Sequence, residues 1–218
     1  TEAKSDGEHL HVITDCNGKI PDRTQAILYG GESPLPEMEK SVRRLEAAGV
    51  DFLTIACHTA HYYLSDLRKL TPLPFISILD TSFAEIERRE VKKLCILSTK
   101  GTYETGMYEN ECETRGLKLI PLNEEEKNLV MDVIYGIKAG KMDLHLEKVQ
   151  ELIRKKQEEG AEVFLLACTE LPLYFRGKDF GVDCIDAIDV LARNLVLYAG
   201  GKLKEQVKED KKAQTQLL

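Results

Sequence analysis

The sequence contains two similar stretches, GVDFLTIAC (residues 49–57) and GAEVFLLAC (residues 160–168). Each begins with a glycine, continues through an acidic residue and an apolar run, and ends in Ala-Cys. A glycine followed by a short, continuously apolar run is typical of a helix end that leads into a buried parallel strand. The two copies are separated by about half of the chain. The repeat therefore predicts two similar α/β halves, each with one cysteine at the carboxyl end of a strand.

The rest of the chain alternates short apolar runs with segments of helical periodicity. Strands are predicted at residues 11–15, 51–56, 74–79, 92–98, 118–121, 162–167 and 182–185. Helices are predicted at residues 36–48, 60–70, 81–89, 101–115 and 188–198, with one or two more within 124–157. This order predicts an α/β fold of two pseudo-symmetric lobes, each a short, mainly parallel sheet flanked by helices, with the active site in the cleft between them. The first lobe is predicted to comprise residues 1–89 plus 187–218, and the second residues 90–186.

Charge and composition exclude several classes of protein. The net charge of −7 argues against a nucleic-acid partner, which a basic surface would attract. No apolar run approaches the ~18 residues of a membrane span, and no secretory leader is visible. The six cysteines include no C-x-x-C pair, so a disulfide scaffold or zinc ribbon is not expected. The sequence therefore predicts a cytoplasmic protein with reduced thiols.

Cys57 and Cys168 carry the candidate chemistry. A cysteine between a buried strand and a helix lies near backbone N–H groups and the positive helix end, both of which lower the pKa of a thiol. Two such thiols on opposite faces of one substrate suit a reaction that removes a proton from one side and returns it to the other. That reaction is a racemisation or an epimerisation.

Four segments resemble the signatures of the aspartate/glutamate racemase superfamily, and in particular its aspartate racemase branch. They are ACHTAH (56–61), LACTELPL (166–173), IPDRT (20–24) and YGIK (135–138). The resemblance implies a cofactor-independent racemase of aspartate or glutamate that usually works as a homodimer. It also implies that Cys57 and Cys168 are the two bases and that Arg23 and Lys138 hold the substrate carboxylates.

Other residues of these segments are candidates for binding the substrate. Thr59 and Thr169 offer hydroxyl and backbone donors to the substrate α-carboxylate. His58 and Glu170 follow the two cysteines and are expected in the cleft, whereas His61 is expected to serve the packing of its helix.

The chain departs from the superfamily pattern in two places. His58 stands where the superfamily usually has asparagine, and a histidine is bulkier and can be cationic. The superfamily also begins with a strand and a glycine-rich turn about 25 residues upstream of the part seen here. That strand lies inside its first sheet, so we expect this sequence to be a piece of a longer chain.

Several alternatives remain open. A zinc site of Cys57, His58 and His61 lacks a clear fourth ligand, so no metal is predicted. A cysteine hydrolase would need a histidine farther along the chain than His61. Within the superfamily, a broad-specificity amino-acid racemase, a hydantoin racemase or a maleate isomerase is possible. From a different class, the chain could be a catalytically silent protein that binds an acidic metabolite.

Overall fold

The computed structural model describes residues 1–204 and contains two parallel sheets with helices around them. A two-stranded sheet has the order β1-β2, and a four-stranded sheet has the order β4-β3-β5-β6. The strands are β1 (Leu53–Thr54), β2 (Phe75–Ile76), β3 (Lys93–Ser98), β4 (Lys118–Leu119), β5 (Val163–Ala167) and β6 (Cys184–Asp186). The predicted α/β fold with short parallel sheets is confirmed.

Ten α-helices accompany these strands within the described residues. They are α1 (Arg23–Tyr29), α2 (Leu35–Ala47), α3 (Leu64–Arg68), α4 (Ile78–Arg88), α5 (Lys100–Glu104), α6 (Met107–Thr114), α7 (Glu124–Lys138), α8 (Leu146–Glu158), α9 (Leu171–Phe175) and α10 (Ala187–Tyr198). Two short 3-10 helices lie at Asp6–Glu8 and Thr59–Tyr63.

Strand β5 lies at the centre of the larger sheet, and all five of its residues are buried. Phe164 and Leu166 pack with residues of α7 and α8 on one face. Val163 and Leu165 pack with residues of α4 and α10 on the other face. Because both faces are covered, the run has no polar alternation, as the sequence predicted.

The smaller sheet has its own core. Leu53 and Phe75 are paired in register and pack with Met38 and Val42 of α2 and with Leu67 of α3. The division of the chain into lobes at residues 89 and 187 stays a prediction, and the end of its range 187–218 lies outside the described residues. In the structure, α4 and α10 pack against each other and against the same face of the larger sheet.

Several predicted elements differ from those observed. The predicted strand at residues 11–15 is wrong: the segment is irregular and Val12 is 73% exposed, because no neighbouring strand within residues 1–204 pairs with it. Helix α1 is missing from the prediction. The single helix predicted at residues 101–115 is two helices, α5 and α6, because Gly106 between them takes a left-handed φ of 65°.

The start of α4 also differs from the prediction. The sequence ILD at 78–80 resembles CID at 184–186, and this pattern is typical of a strand that ends in an acidic residue at the start of a helix. In the structure, Asp186 does cap α10, but α4 is capped by Ser77, whose hydroxyl accepts from the backbone N–H groups of Leu79 and Asp80. Asp80 therefore lies inside the first turn of the helix and has no equivalent capping role.

Candidate active site

A narrow cleft lies at the carboxyl ends of β1, β3 and β5. The eight residues predicted for the site all line it: Arg23, Cys57, His58, Thr59, Lys138, Cys168, Thr169 and Glu170. The other lining residues are Asp22, Thr24, Thr99 and Ala167. The structure thus brings together segments from both halves of the chain, although it does not by itself assign their roles.

Cys57 lies beside a cation. The Nη2 atom of Arg23 is 3.7 Å from Cys57 Sγ, and its Nη1 donates to the carbonyl of Pro21 at 3.2 Å. Burial disfavours the charged guanidinium, but the Cys57 sulfur, Asp22 and Glu170 together outweigh this, so the pKa of Arg23 is raised. Arg23 is the first residue of α1, whose N-cap Asp22 accepts from the backbone of Gln25. The helix start therefore fixes the backbone from which Arg23 reaches the sulfur.

Cys168 has the opposite surroundings. It is 7% exposed, and its thiol donates to Glu170 Oε2 at 2.9 Å. Burial and the neighbouring carboxylate raise the pKa of Cys168, so the prediction of a lowered pKa is wrong for this thiol. The N-terminus of α9 does not offset this rise in the pKa of Cys168, because the helix is short and begins three residues after the cysteine.

Glu170 links Cys168 to the second predicted cation. Its Oε1 lies 3.8 Å from Lys138 Nζ, and its Oε2 also accepts from the Thr169 hydroxyl at 2.9 Å. Burial disfavours the carboxylate, but the Cys168 thiol, Lys138 and Thr169 outweigh it, so the pKa of Glu170 is lowered. Lys138 is in the last turn of α7, where a cation also complements the helix dipole.

Three threonines join the two halves at one side of the cleft. The Thr59 hydroxyl lies 2.9 Å from both Thr99 Oγ1 and Thr102 Oγ1, which are 3.0 Å from each other. Nearby, α1 approaches α5 so closely that a Cβ at Gly101 would lie 2.9 Å from Thr24 Oγ1. These contacts hold the segments of Cys57 and Arg23 against the loop that follows β3.

The two buried histidines of the first half are neutral. Burial lowers the pKa of His58 to about 3 and that of His61 to about 4, so His58 is uncharged near neutral pH although a histidine can be cationic. His61 donates through Nδ1 to the Cys57 carbonyl at 2.8 Å and accepts at Nε2 from the Ile78 N–H at 3.1 Å. Both nitrogens are therefore committed to packing, as predicted, and neither is free for zinc.

The cleft is small, with an open volume of about 40 Å³. That is room for a few water molecules at roughly 10–15 Å³ each. An amino acid therefore enters only if lining side chains move. Thr99 could have been found from the sequence, because it directly follows the predicted strand at 92–98. Tyr108, whose hydroxyl lies against His58, carries no such signal because it sits within a helix.

Comparisons with known proteins agree with this architecture. The family described as Asp/Glu/Hydantoin racemase matches residues 1–195. An aspartate racemase structure from Picrophilus torridus superposes with a TM-score of 0.84 at 26% identity, over 94% of this chain and 86% of that one. An aspartate racemase homologue from Pyrococcus horikoshii OT3 gives a TM-score of 0.66 at 27% identity, over 81% of this chain and 80% of that one.

The relatives found by sequence include two named racemases. The broad specificity amino-acid racemase RacX of Bacillus subtilis (strain 168) is 25% identical over 164 residues, which are 73% of this chain and 71% of the relative. The glutamate racemase of Aquifex aeolicus (strain VF5) is 27% identical over 164 residues, 69% of this chain and 59% of the relative. With a match that spans nearly the whole described structure, the chain belongs to the Asp/Glu/Hydantoin racemase family of racemase enzymes.

Proposed function

We propose that the protein racemises an acidic amino acid, aspartate or glutamate, without a cofactor, and that Cys57 and Cys168 are its two bases. The observation that carries this proposal is that both cysteines line one cleft together with the two cations Arg23 and Lys138. A dicarboxylic amino acid offers two carboxylates for two cations. A cation near the α-carboxylate also stabilises the carbanion that forms when the Cα proton leaves.

The two thiols differ in a way that suits opposite roles. Cys57 lies beside the guanidinium of Arg23, and its sulfur is the group that accepts the Cα proton. Cys168 is held as a thiol that donates to Glu170, so it can deliver a proton to the opposite face. For the reverse reaction the roles exchange, and Cys168 must then lose its proton. We propose that a substrate carboxylate binds Lys138 and displaces Glu170 from its place between Lys138 and the sulfur, which removes the main opposing charge.

The small volume of the cleft supports the same movement. Glu170 occupies a position between Lys138 and the Cys168 sulfur. A substrate carboxylate that binds Lys138 competes with the Glu170 carboxylate for the same cation. Displacing Glu170 therefore both opens space and frees Lys138.

The test is proton NMR of L-aspartate and of L-glutamate in D₂O with no added cofactor. Loss of the Cα signal together with appearance of the D-enantiomer is expected for one or both substrates. The Cys57→Ala/Cys168→Ala double variant is the control and should leave the signal intact. Exchange without inversion would contradict the two-base scheme, and no exchange on either substrate would contradict an acidic substrate.

A broader substrate range is the second candidate. It is favoured by the similarity to a relative named as a broad specificity racemase. The same NMR assay with neutral amino acids separates the two, because an acidic specificity predicts exchange only where a second carboxylate is present.

Assembly and location complete the proposal. We propose a homodimer, as the resemblance implies, and analytical ultracentrifugation of the protein tests it. The cytoplasmic location is proposed from the reduced thiols that the sequence predicts. None of the helices within residues 1–204 has the length and apolar character needed to cross a bilayer.

A further inference from the structure

His58 has an unusual hydrogen-bonding state. The side chain lines the cleft, yet the residue is only 2% exposed. Its Nδ1 lies within hydrogen-bonding distance of the Tyr108 hydroxyl. Its Nε2 is buried and has no hydrogen-bond partner among the described residues. A buried, unpartnered polar atom is costly, so its presence beside a cleft indicates a partner that arrives with the ligand.

The contact with Tyr108 determines which nitrogen carries the hydrogen. Tyr108 is 1% exposed, and burial raises its pKa well above the usual value, so the phenol keeps its O–H. Within residues 1–204, His58 Nδ1 is the only acceptor that this hydroxyl reaches. If Nδ1 carried the hydrogen, the O–H of Tyr108 would be buried without an acceptor. The favoured arrangement has Tyr108 donating to Nδ1 and the hydrogen of the imidazole on Nε2.

We infer that Tyr108 is a positioning residue that holds His58 as the Nε2–H tautomer, and that His58 thereby offers a substrate carboxylate a neutral N–H donor. The second half of this inference rests on the proposed function, since it assumes an acidic ligand. The asparagine that the superfamily usually has at position 58 would also be an uncharged N–H donor. Histidine keeps that property only while it is neutral and in this tautomer, and burial beside Tyr108 supplies both conditions.

The inference also accounts for the balance of charge in the cleft. Arg23 and Lys138 already provide two cations for two carboxylates. A third cation at position 58 would repel them and would be poorly solvated in a buried position. A neutral donor instead adds a directional hydrogen bond to the substrate without adding charge.

The tautomer is tested by NMR of protein labelled with ¹⁵N-histidine, with the His58 signals identified by their loss in His58→Asn. The wild type is expected to show His58 with hydrogen on Nε2. Tyr108→Phe removes the donor to Nδ1, and a mixture of both tautomers is expected. Tyr174→Phe is the matched control: it removes another buried phenol, which donates to the Leu144 carbonyl at 2.9 Å, and should leave the His58 signals unchanged.

The ligand contact is tested on the same samples by titration with succinate, a dicarboxylate that the enzyme does not racemise. Saturating succinate should shift the His58 Nε2–H signal in the wild type. In kinetic assays, Tyr108→Phe should raise KM by at least about tenfold with a smaller change in kcat, while His58→Asn, which keeps an N–H donor, stays closer to the wild type.

Three results would overturn the inference: hydrogen on Nδ1 in the wild type, unchanged tautomers in Tyr108→Phe, or an Nε2–H signal that does not respond to saturating succinate. The tautomer and the succinate response need no turnover. A protein that showed both and yet racemised no acidic amino acid would contradict the proposed function and leave this inference standing.

Discussion

The two copies of the repeat, GVDFLTIAC and GAEVFLLAC, share a backbone plan but occupy different sheets. Each follows a helix that ends at a glycine with positive φ, 77° at Gly49 and 102° at Gly160. The first copy contributes a two-residue strand with one neighbour, and the second contributes a five-residue strand between two neighbours. The same local pattern thus delivers a cysteine to the cleft from a small sheet and from the centre of a larger one.

The surroundings of the two sulfurs differ more than their backbones do. Cys57 is partly exposed and faces the guanidinium of Arg23, whereas Cys168 is buried and faces the carboxylate of Glu170. Two like groups that face charges of opposite sign suit the two roles of an acid and a base. The repeat therefore brings both thiols to the cleft, and in the proposed mechanism the neighbouring charges distinguish their roles.

Removing either sulfur gives the largest expected effect. Cys57→Ala and Cys168→Ala should each lower racemisation by about 10²- to 10⁴-fold, because each removes one proton-transferring group. A chiral assay of aspartate and glutamate measures the loss. Exchange of the Cα proton in D₂O should survive for one enantiomer only, and for opposite enantiomers in the two variants. Undiminished racemisation by either variant would refute the two-base scheme.

The first half of the chain should make the stability of the fold sensitive to acid, because both buried, neutral histidines, His58 and His61, lie there. Free histidine has a pKa near 6.5, and burial lowers those of His58 and His61 to about 3 and 4. Below pH 6.5 the unfolded chain binds protons that the folded chain excludes, so stability falls as pH falls. At pH 5 each histidine costs about 2 kcal/mol relative to pH 7.

Urea unfolding between pH 7 and pH 5 measures this dependence. His58→Asn should flatten it, whereas His145→Asn, at a partly exposed position of the second half, should not. An equal slope in all three proteins would show that His58 does not resist protonation in the folded state.

The Arg23 guanidinium should control the reactivity of Cys57 and not that of Cys168. Arg23→Gln is expected to slow alkylation of Cys57 by iodoacetamide near neutral pH by about tenfold, because the thiolate loses its cation. Mass spectrometry resolves the individual cysteines and provides an internal control at Cys16, which is exposed. Arg44→Gln removes a surface arginine paired with Asp15 at 2.7 Å and should leave Cys57 unaffected. A similar slowing in both variants would argue against a local effect of Arg23.

The Glu170 carboxylate should lower the reactivity of Cys168, whereas Arg23 raises that of Cys57. The Glu170 carboxylate helps to raise the pKa of this thiol, so Glu170→Gln should lower that pKa and increase alkylation of Cys168 a few-fold at a given pH. The effect is smaller than that at Cys57 because burial, the larger cause of the shift, remains. Alkylation of Cys57 in the same sample is the control. A slower reaction at Cys168 would mean that the carboxylate activates the thiol.

Local patterns were sufficient for much of the fold. The buried runs that became β3 and β5 lack polar alternation, and their bounds were predicted within one residue. The run at residues 11–15 also contains adjacent β-branched residues, Val12 and Ile13, but formed no strand, since a strand also needs a neighbour to bond with. Helix α1 was missed because only seven residues lie between Asp22 and Gly30, too few for a clear helical period.

The candidate site likewise contains residues that the sequence predicted and residues that it did not. The repeat and the motifs around it pointed to eight of the twelve residues that line the cleft, because residues after buried parallel strands collect at one edge of a sheet. Tyr108 and the Thr59–Thr99–Thr102 triangle were not found. Their hydrogen bonds join residues 40 to 50 positions apart, and no local pattern encodes such a meeting.

The α/β plan and the delivery of two cysteines to strand ends can be read from the sequence, because burial periodicity and the glycines that follow helices are local properties of the chain. What each thiol faces and which charge His58 carries cannot be read in this way. Those properties depend on desolvation and on charges a few ångströms away, and the distances arise when residues distant in sequence pack together.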